Sequence, residues 1–186
     1  MNQSVKIKGL SFVKMILGSL FLALIAQFAF PLSFTTIPIT PQTLGISILA
    51  GVLSPKEAFC AVLLYLLQAS FGLSVFGGGK SDPAWLFSSK AGYLLGFLFS
   101  SYLVSSLLIQ YRPKYFLKSW LIFAVNESVV LITGTVWLSY SIGLEKGFTK
   151  GMLPFFPGAL VKITIAALLF KTARSCIKLK ESYNEC

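Results

Sequence analysis

Charged and metal-binding side chains are scarce in this chain of 186 residues. Only 12% of its residues are charged, against about 25% in an ordinary soluble domain. It has no histidine, which excludes imidazole catalysis, and its three cysteines are too scattered to indicate a disulfide framework or a set of metal ligands. With so few reactive groups, we expect no cofactor, no metal ion and no enzymatic activity.

The segment GGGKS at positions 77–81 looks like the end of a nucleotide-binding loop, but the residues around it exclude that interpretation. The phosphate-binding pattern G-x-x-x-x-G-K-[ST] needs a glycine where this chain has Ser74. That pattern also joins a buried strand to a soluble helix, whereas here it follows the apolar run AFCAVLLYLLQASFGLSVF. The glycines are instead expected to let a loop fold closely over a small molecule.

Apolar residues make up 55% of the chain, and its mean hydropathy of +0.79 is that of a membrane protein with several spans. A helix that crosses a bilayer needs about 20 mostly apolar residues. Hydropathy places the spans at 11–30, 42–53, 56–73, 89–109, 117–141 and 156–173. We therefore predict an all-α membrane protein in which residues 1–186 form a single domain, a compact bundle of six transmembrane helices. The first span follows a basic start but is too long for a signal peptide, so we expect it to be retained.

Basic residues are distributed unevenly between the two ends of these spans. One side would carry Lys6, Lys8, Lys14, Lys56, Arg112, Lys114, Lys118, Lys171, Arg174, Lys178 and Lys180. The other would carry only Lys80, Lys90, Lys146 and Lys150. This is the positive-inside pattern, which explains the net charge of +10 without a nucleic-acid partner and places both termini in the cytoplasm. The loops rich in proline, glycine and aromatic residues lie on the outer side, where we expect a ligand to enter a loop-covered pocket.

Three charged residues fall within or at the edge of predicted spans, where charges are costly. Lys162 has the depth of a pocket floor, although a lysine there could also extend to the outer interface. Lys90 could hold a carboxylate at the pocket mouth or simply decorate the interface. Glu127 must be paired, protonated or near water, and both proton coupling and a structural hydrogen bond remain open for it.

Small and aromatic residues supply two further candidate surfaces. In the first span, Ser19 and Ala23 belong to a small-residue face that lets another helix approach, either within the bundle or from another subunit. Aromatic residues near the outer ends, among them Phe76, Trp85 and Tyr93, form either an interfacial belt or the walls of a pocket for a ring-shaped ligand.

Five short patterns, in order between about residue 23 and residue 165, carry a resemblance to a known family. They are AQ, IPITPQT, GLSVFGGG, GYLLGF and FFPGALVK, which are weak singly and specific as a set. They resemble the BioY family, the biotin-binding S-components of energy-coupling factor (ECF) transporters. The resemblance implies a six-helix domain of the bacterial inner membrane that captures biotin from outside. It also implies docking on a transmembrane coupling subunit driven by two ATPase subunits.

The same resemblance assigns site residues. It implies ligand contacts at Gln42, Thr43, Phe76, Gly77, Gly78, Gly79, Trp85, Lys90, Tyr93 and Lys162. The polar head of biotin is expected at Lys162, with the glycine-rich loop closing over the ligand. Ser19 and Ala23 are expected to touch the coupling subunit.

Two departures from the family pattern bear on the ligand. The family usually has aspartate after the Pro-Gly pair, where this chain has Ala159, so a carboxylate that would accept the ureido N–H groups is missing there. Lys90 occupies a position that is often uncharged, and either binds the valerate carboxylate or reflects a changed ligand preference. The alternatives to biotin uptake are therefore an S-component for another small vitamin and an autonomous secondary transporter that uses Glu127 as a proton carrier.

Overall fold

Seven α-helices and two short 3-10 helices account for most of the chain in the computed structural model, which describes residues 2–30, 33 and 38–184. The α-helices are α1 (Asn2–Ala26), α2 (Gln42–Val52), α3 (Pro55–Ser70), α4 (Ala91–Tyr111), α5 (Phe116–Ile142), α6 (Leu144–Gly151) and α7 (Phe156–Asn184). The 3-10 helices are Trp85–Phe87 and Leu153–Phe155. The predicted all-α class is confirmed for the described part of the chain.

Four stretches of the described chain are long and apolar enough to cross a membrane. They are Gly9–Ala26, Ala91–Tyr111, Phe116–Ile142 and Leu144–Arg174. The short segment predicted at 42–53 corresponds to the 11-residue apolar helix α2, and the segment predicted at 56–73 overlaps the 16-residue helix α3. Membrane-protein character therefore follows from the length and apolar composition of these helices.

Helix α6 was not predicted, because its lysines and glycines are typical of a loop. A glycine with a positive φ of 87°, Gly143, separates it from α5. Glu145 in its first turn and Lys150 in its last turn both suit the helix dipole. A side chain at Gly147 would collide with Ser139 of α5, so this glycine permits the close packing of α6 on α5. The predicted outer connection is thus partly helical.

Small residues set the packing between the central helices. A side chain at Gly96 of α4 would meet the backbone of Val130 on α5 at 3.0 Å, and one at Gly134 of α5 would overlap the ring of Tyr93. On the other side of the bundle, a side chain at Gly18 of α1 would lie 3.0 Å from Ala61 of α3. Such contacts let helix backbones approach closely. Close packing of this kind matters within a bilayer, because the hydrophobic effect does not drive helices together there.

Candidate functional site

A cavity of about 170 Å³ opens among α2, α4, α5, α7 and the connection between α3 and α4. Its polar lining comes from Thr40, Gln42, Thr43, Lys80, Ser81, Asp82, Lys90, Tyr93, Glu127 and Lys162. Its apolar lining comes from Pro38, Phe76, Gly77, Leu94, Phe97, Val130, Leu131 and Phe155. Apolar walls with a few convergent polar groups are the usual composition of a small-molecule site.

The floor of the cavity is a buried ion pair between α5 and α7. The ammonium group of Lys162 lies 3.2 Å from Oε1 of Glu127 and donates a hydrogen bond of 3.3 Å to Oε2. It also donates to the hydroxyl of Thr43 on α2 at 2.5 Å. The two charged side chains are only 17% and 5% exposed. Lys162 therefore points into the bundle rather than to the outer interface, and Glu127 is paired.

Asn126 fixes this floor to α2. Its amide nitrogen donates to the carbonyl oxygen of Thr43 and to the hydroxyl of Ser47, both at 2.9 Å. The residue is fully buried between the two helices. Because a buried polar group without a partner is costly, these bonds hold α2 and α5 in one register and place Thr43 beside Lys162.

A second hydrogen-bonded group orients Gln42 in the cavity wall. Its amide nitrogen donates to the hydroxyl of Tyr65 at 2.5 Å, and its amide oxygen accepts from the hydroxyl of Thr40 at 2.7 Å. Tyr65 in turn donates to the carbonyl oxygen of Val75 at 3.1 Å. The chain Thr40, Gln42, Tyr65, Val75 thus links the start of α2 to the loop that follows α3.

Aromatic rings form the apolar wall. The hydroxyl of Tyr93 donates to the carbonyl oxygen of Gly151 at 2.6 Å, so the ring, rather than the hydroxyl, faces the cavity. The ring centroids of Tyr93 and Phe155 are 6.2 Å apart, and those of Phe76 and Tyr65 are 5.7 Å apart. These distances are within the range of favourable aromatic pairs. Phe76, Tyr93 and Phe155 thus contribute apolar ring surface to the cavity lining.

The mouth of the cavity is positively charged. Lys80 is exposed, while Asp82 and Lys90 are half-buried along the same opening. Neither lysine has an ion pair among the residues that the structure describes. Lys80 was not among the residues predicted to contact a ligand, yet it lines the site together with Lys90. An anionic group at the mouth would find two ammonium groups within the lining.

Three of the predicted ligand residues lie away from the cavity lining. Trp85 is buried against α3 and donates from its ring nitrogen to the hydroxyl of Ser70 at 2.9 Å. Gly78 and Gly79 have positive φ values of 73° and 72° and are exposed. The backbone N–H of Gly78 donates to the carbonyl oxygen of Ala26 at 3.1 Å, which ties the loop to the end of α1. These residues shape the loop, and of the predicted ligand residues in it, Phe76 and Gly77 reach the cavity.

The predicted partner-binding pair on α1 is turned largely toward the bundle. Ser19 is 1% exposed, donates to the carbonyl oxygen of Ile16 at 2.8 Å and accepts from the side-chain nitrogen of Gln68 at 3.2 Å. Ala23 is half-buried. The exposed side of α1 instead presents large apolar residues such as Leu17, Leu20 and Leu24.

Glu127 lines the cavity but was not among the residues predicted to contact a ligand. Its signal in the sequence is a charge within an apolar span, which marks a residue that must be paired, protonated or near water. The contacts of Thr40, Phe97 and Phe155 with the cavity had no comparable signal. They depend on how the helices pack, which residue types alone do not reveal.

The sequence matches the model of the BioY family over residues 1–178. It is 34% identical to "Biotin transporter BioY2" of Lactococcus lactis subsp. cremoris (strain MG1363) over 89% of this chain and 90% of that protein. It is 32% identical to "Biotin transporter BioY" of Rhizobium etli over 83% and 89% of the two chains. The crystal structure of the S-component for biotin from an ECF-type ABC transporter shares the fold, with a TM-score of 0.83 and 24% identity over 94% of this chain and 95% of that one. This chain belongs to the BioY family.

Proposed function

We propose that this protein is the substrate-binding S-component of an ECF transporter and takes up biotin. The observation that carries the proposal is the cavity, whose ends differ in charge while its middle is apolar. Family membership and the names of the biotin transporters it resembles support the same conclusion. The protein is then a receptor and transport module rather than an enzyme.

The cavity suits a ligand with a neutral polar head and an anionic tail. At the floor, Lys162 is already neutralised by Glu127, so a neutral ureido ring is a better occupant than a carboxylate. Thr43 accepts from Lys162 and keeps its own hydroxyl hydrogen as a donor for a ligand carbonyl. The valerate carboxylate of biotin would then lie at the mouth, near Lys90 and Lys80.

In the membrane, we propose six spans formed by α1 to α5 and α7 in one domain of residues 1–186, with α6 at the outer end. Both termini would be cytoplasmic in the inner membrane of a bacterium, with the cavity near the outer face. The connection between α3 and α4, which contributes Phe76, Gly77 and Lys80 to the lining, would cover the bound ligand.

The energy for uptake would come from partners, a transmembrane coupling subunit and two ATPase subunits. The exposed apolar side of α1, at whose edge Ala23 is half-buried, would face lipid or the coupling subunit. Contact of Ser19 with the coupling subunit remains a prediction, and it would require this residue to leave its bond with Gln68. A secondary transporter that uses Glu127 as a proton carrier is less well supported, because Glu127 is held in an ion pair.

A binding screen and an uptake assay test the proposal. We expect the purified protein to bind biotin with nanomolar affinity and to prefer it to other vitamins in the same screen. We expect uptake by cells to require the ATPase subunits and to survive a protonophore when ATP is maintained. Preference for another vitamin would reject biotin as the ligand, and protonophore-sensitive uptake by the chain alone would reject the S-component mechanism.

A further inference from the structure

One oxygen of the Glu127 carboxylate lacks a hydrogen bond at the floor of the cavity. Oε2 accepts from Lys162, whereas Oε1 lies 3.2 Å from the ammonium nitrogen without accepting a hydrogen bond from any residue that the structure describes. The side chain is 5% exposed and belongs to the cavity lining. A buried carboxylate oxygen in this position calls for a donor, since buried polar atoms are almost always hydrogen-bonded.

The neighbouring side chains direct their donors elsewhere. The hydrogen bonds of Lys162 go to Thr43 and to Oε2 of Glu127. Asn126, the next residue on α5, donates toward α2, to the carbonyl oxygen of Thr43 and the hydroxyl of Ser47. Glu127 belongs to the cavity lining, so a molecule in the cavity is placed to donate to its carboxylate.

Helix α7 itself offers no acidic side chain on the face of Lys162 one turn before it. Residue 159 is one helical turn earlier on α7, so its side chain shares a face with Lys162. That residue is Ala159, which has no polar atom and is buried in the hydrophobic core. The acidic partner of Lys162 is instead Glu127 of α5, across the bundle. The floor therefore carries one positive and one negative charge.

We propose that Glu127 is a specificity-determining residue whose carboxylate accepts an N–H group of the ligand's ureido ring, the role that Ala159 cannot fill. The assignment rests on the proposed function, since it takes a biotin-like ring as the occupant. It makes the floor selective for ligands that present an N–H donor, because the buried acceptor would be left unpaired by a ring without one.

The test compares biotin with its cyclic carbonate analogue, in which ring oxygens replace both ureido N–H groups at nearly constant shape. We expect the unmodified protein to bind biotin at least tenfold more tightly than the carbonate. In Glu127→Gln, the amide oxygen should stay with Lys162, since lysine can only donate, and the amide NH₂ should face the cavity. That exchange of acceptor for donor should weaken biotin binding at least tenfold and abolish the preference over the carbonate.

The outcomes separate this inference from the function on which it rests. If the unmodified protein fails to bind biotin, the proposed function is wrong whatever the variant does. If Glu127→Gln retains the original preference, even with weaker binding of both ligands, Glu127 only positions Lys162 and the inference is overturned. Glu145→Gln, the same change at an exposed residue of α6, is the control and should leave both affinities unchanged.

A second variant keeps the test decisive if Glu127→Gln unfolds, which thermal unfolding in detergent would reveal. Glu127→Asp retains the charge but withdraws the carboxylate by one methylene group. We expect it to lower the affinity for biotin at least threefold while affecting the carbonate less. Unchanged affinity for biotin in this variant would also overturn the inference.

Discussion

At the level of single residues, the floor of the cavity depends on two charges that stabilise each other in an apolar bundle. Lys162 and Glu127 are both largely removed from solvent, and each is the counter-ion of the other. Removing one partner of a buried ion pair costs about 3–5 kcal/mol, because the remaining charge is left uncompensated, whereas neutralising both is much less costly. Stability and ligand binding should therefore respond differently to single and double substitutions here.

We predict that Lys162→Met lowers both the thermal stability and the affinity for biotin. Methionine has a similar length but no donor for Thr43 or Glu127, so the loss of stability should approach the figure for a broken buried pair, and binding should weaken more than tenfold. The double variant Lys162→Met/Glu127→Gln should recover most of the stability but not the binding. Thermal unfolding in detergent and biotin titration measure the two effects. An equal loss of stability in the single and double variants would show that the pair is not the cause.

The residues of this floor were only partly predictable from the sequence. Lys162 was predicted from its depth in the last span, and Thr43 from a family pattern. The pairing of Glu127 with Lys162 joins positions 35 residues apart on different helices. It depends on the rotation of α5 relative to α7, which apolar helices that are hydrophobic on most sides do not encode in their residue pattern.

Among the helices, the closest approach that shapes the cavity is that of α4 and α5. Gly134 of α5 lies against the ring of Tyr93, and that ring forms part of the cavity wall. The hydroxyl of the same tyrosine reaches past α5 to the carbonyl oxygen of Gly151, at the end of α6. The small size of Gly134 thus determines the position of the Tyr93 ring in the cavity wall and of the hydrogen bond from Tyr93 to Gly151.

We predict that Gly134→Ala destabilises the protein by about 1–3 kcal/mol, the usual cost of inserting a methyl group where a close-packed core has no room. The added methyl group would displace Tyr93 and weaken its bond to Gly151, so biotin affinity should fall as well. Gly158→Ala is the matched control, because a side chain there would have no atom within 4 Å. Thermal unfolding in detergent should show a lower midpoint for Gly134→Ala and no loss for Gly158→Ala. Equal midpoints for the two variants would contradict the close-packing argument.

Helix positions were easier to predict than the contacts between helices. Hydropathy placed all six apolar segments on observed helices because burial in lipid or core requires apolar residues along the whole segment. It missed α6, whose charged and glycine-rich sequence has little apolar content. The family resemblance assigned Trp85 to the ligand, whereas the indole packs toward Ser70 of α3. The direction of a loop side chain is set by tertiary contacts that local sequence does not specify.

For the molecule as a whole, the proposed orientation rests on the separation of positive charge between its two ends. Lys114, in the connection between α4 and α5, and Lys146, on α6, are both exposed and lie at opposite ends of α5. If the positive-inside pattern sets the orientation, Lys114 faces the cytoplasm and Lys146 faces outward, on the same side as the mouth of the cavity.

We predict that a membrane-impermeant maleimide labels the Lys146→Cys variant, but not the Lys114→Cys variant, in right-side-out spheroplasts. Each variant would be made in a chain whose native cysteines, Cys60, Cys176 and Cys186, are replaced by serine. Inside-out vesicles should show the reverse pattern, which controls for differences in thiol reactivity. If only Lys114→Cys were labelled in spheroplasts, the orientation would be the opposite of the proposed one, and the mouth of the cavity would face the cytoplasm. A receptor that captures its ligand from outside could not work that way, so this experiment tests the orientation of the cavity independently of what the cavity binds.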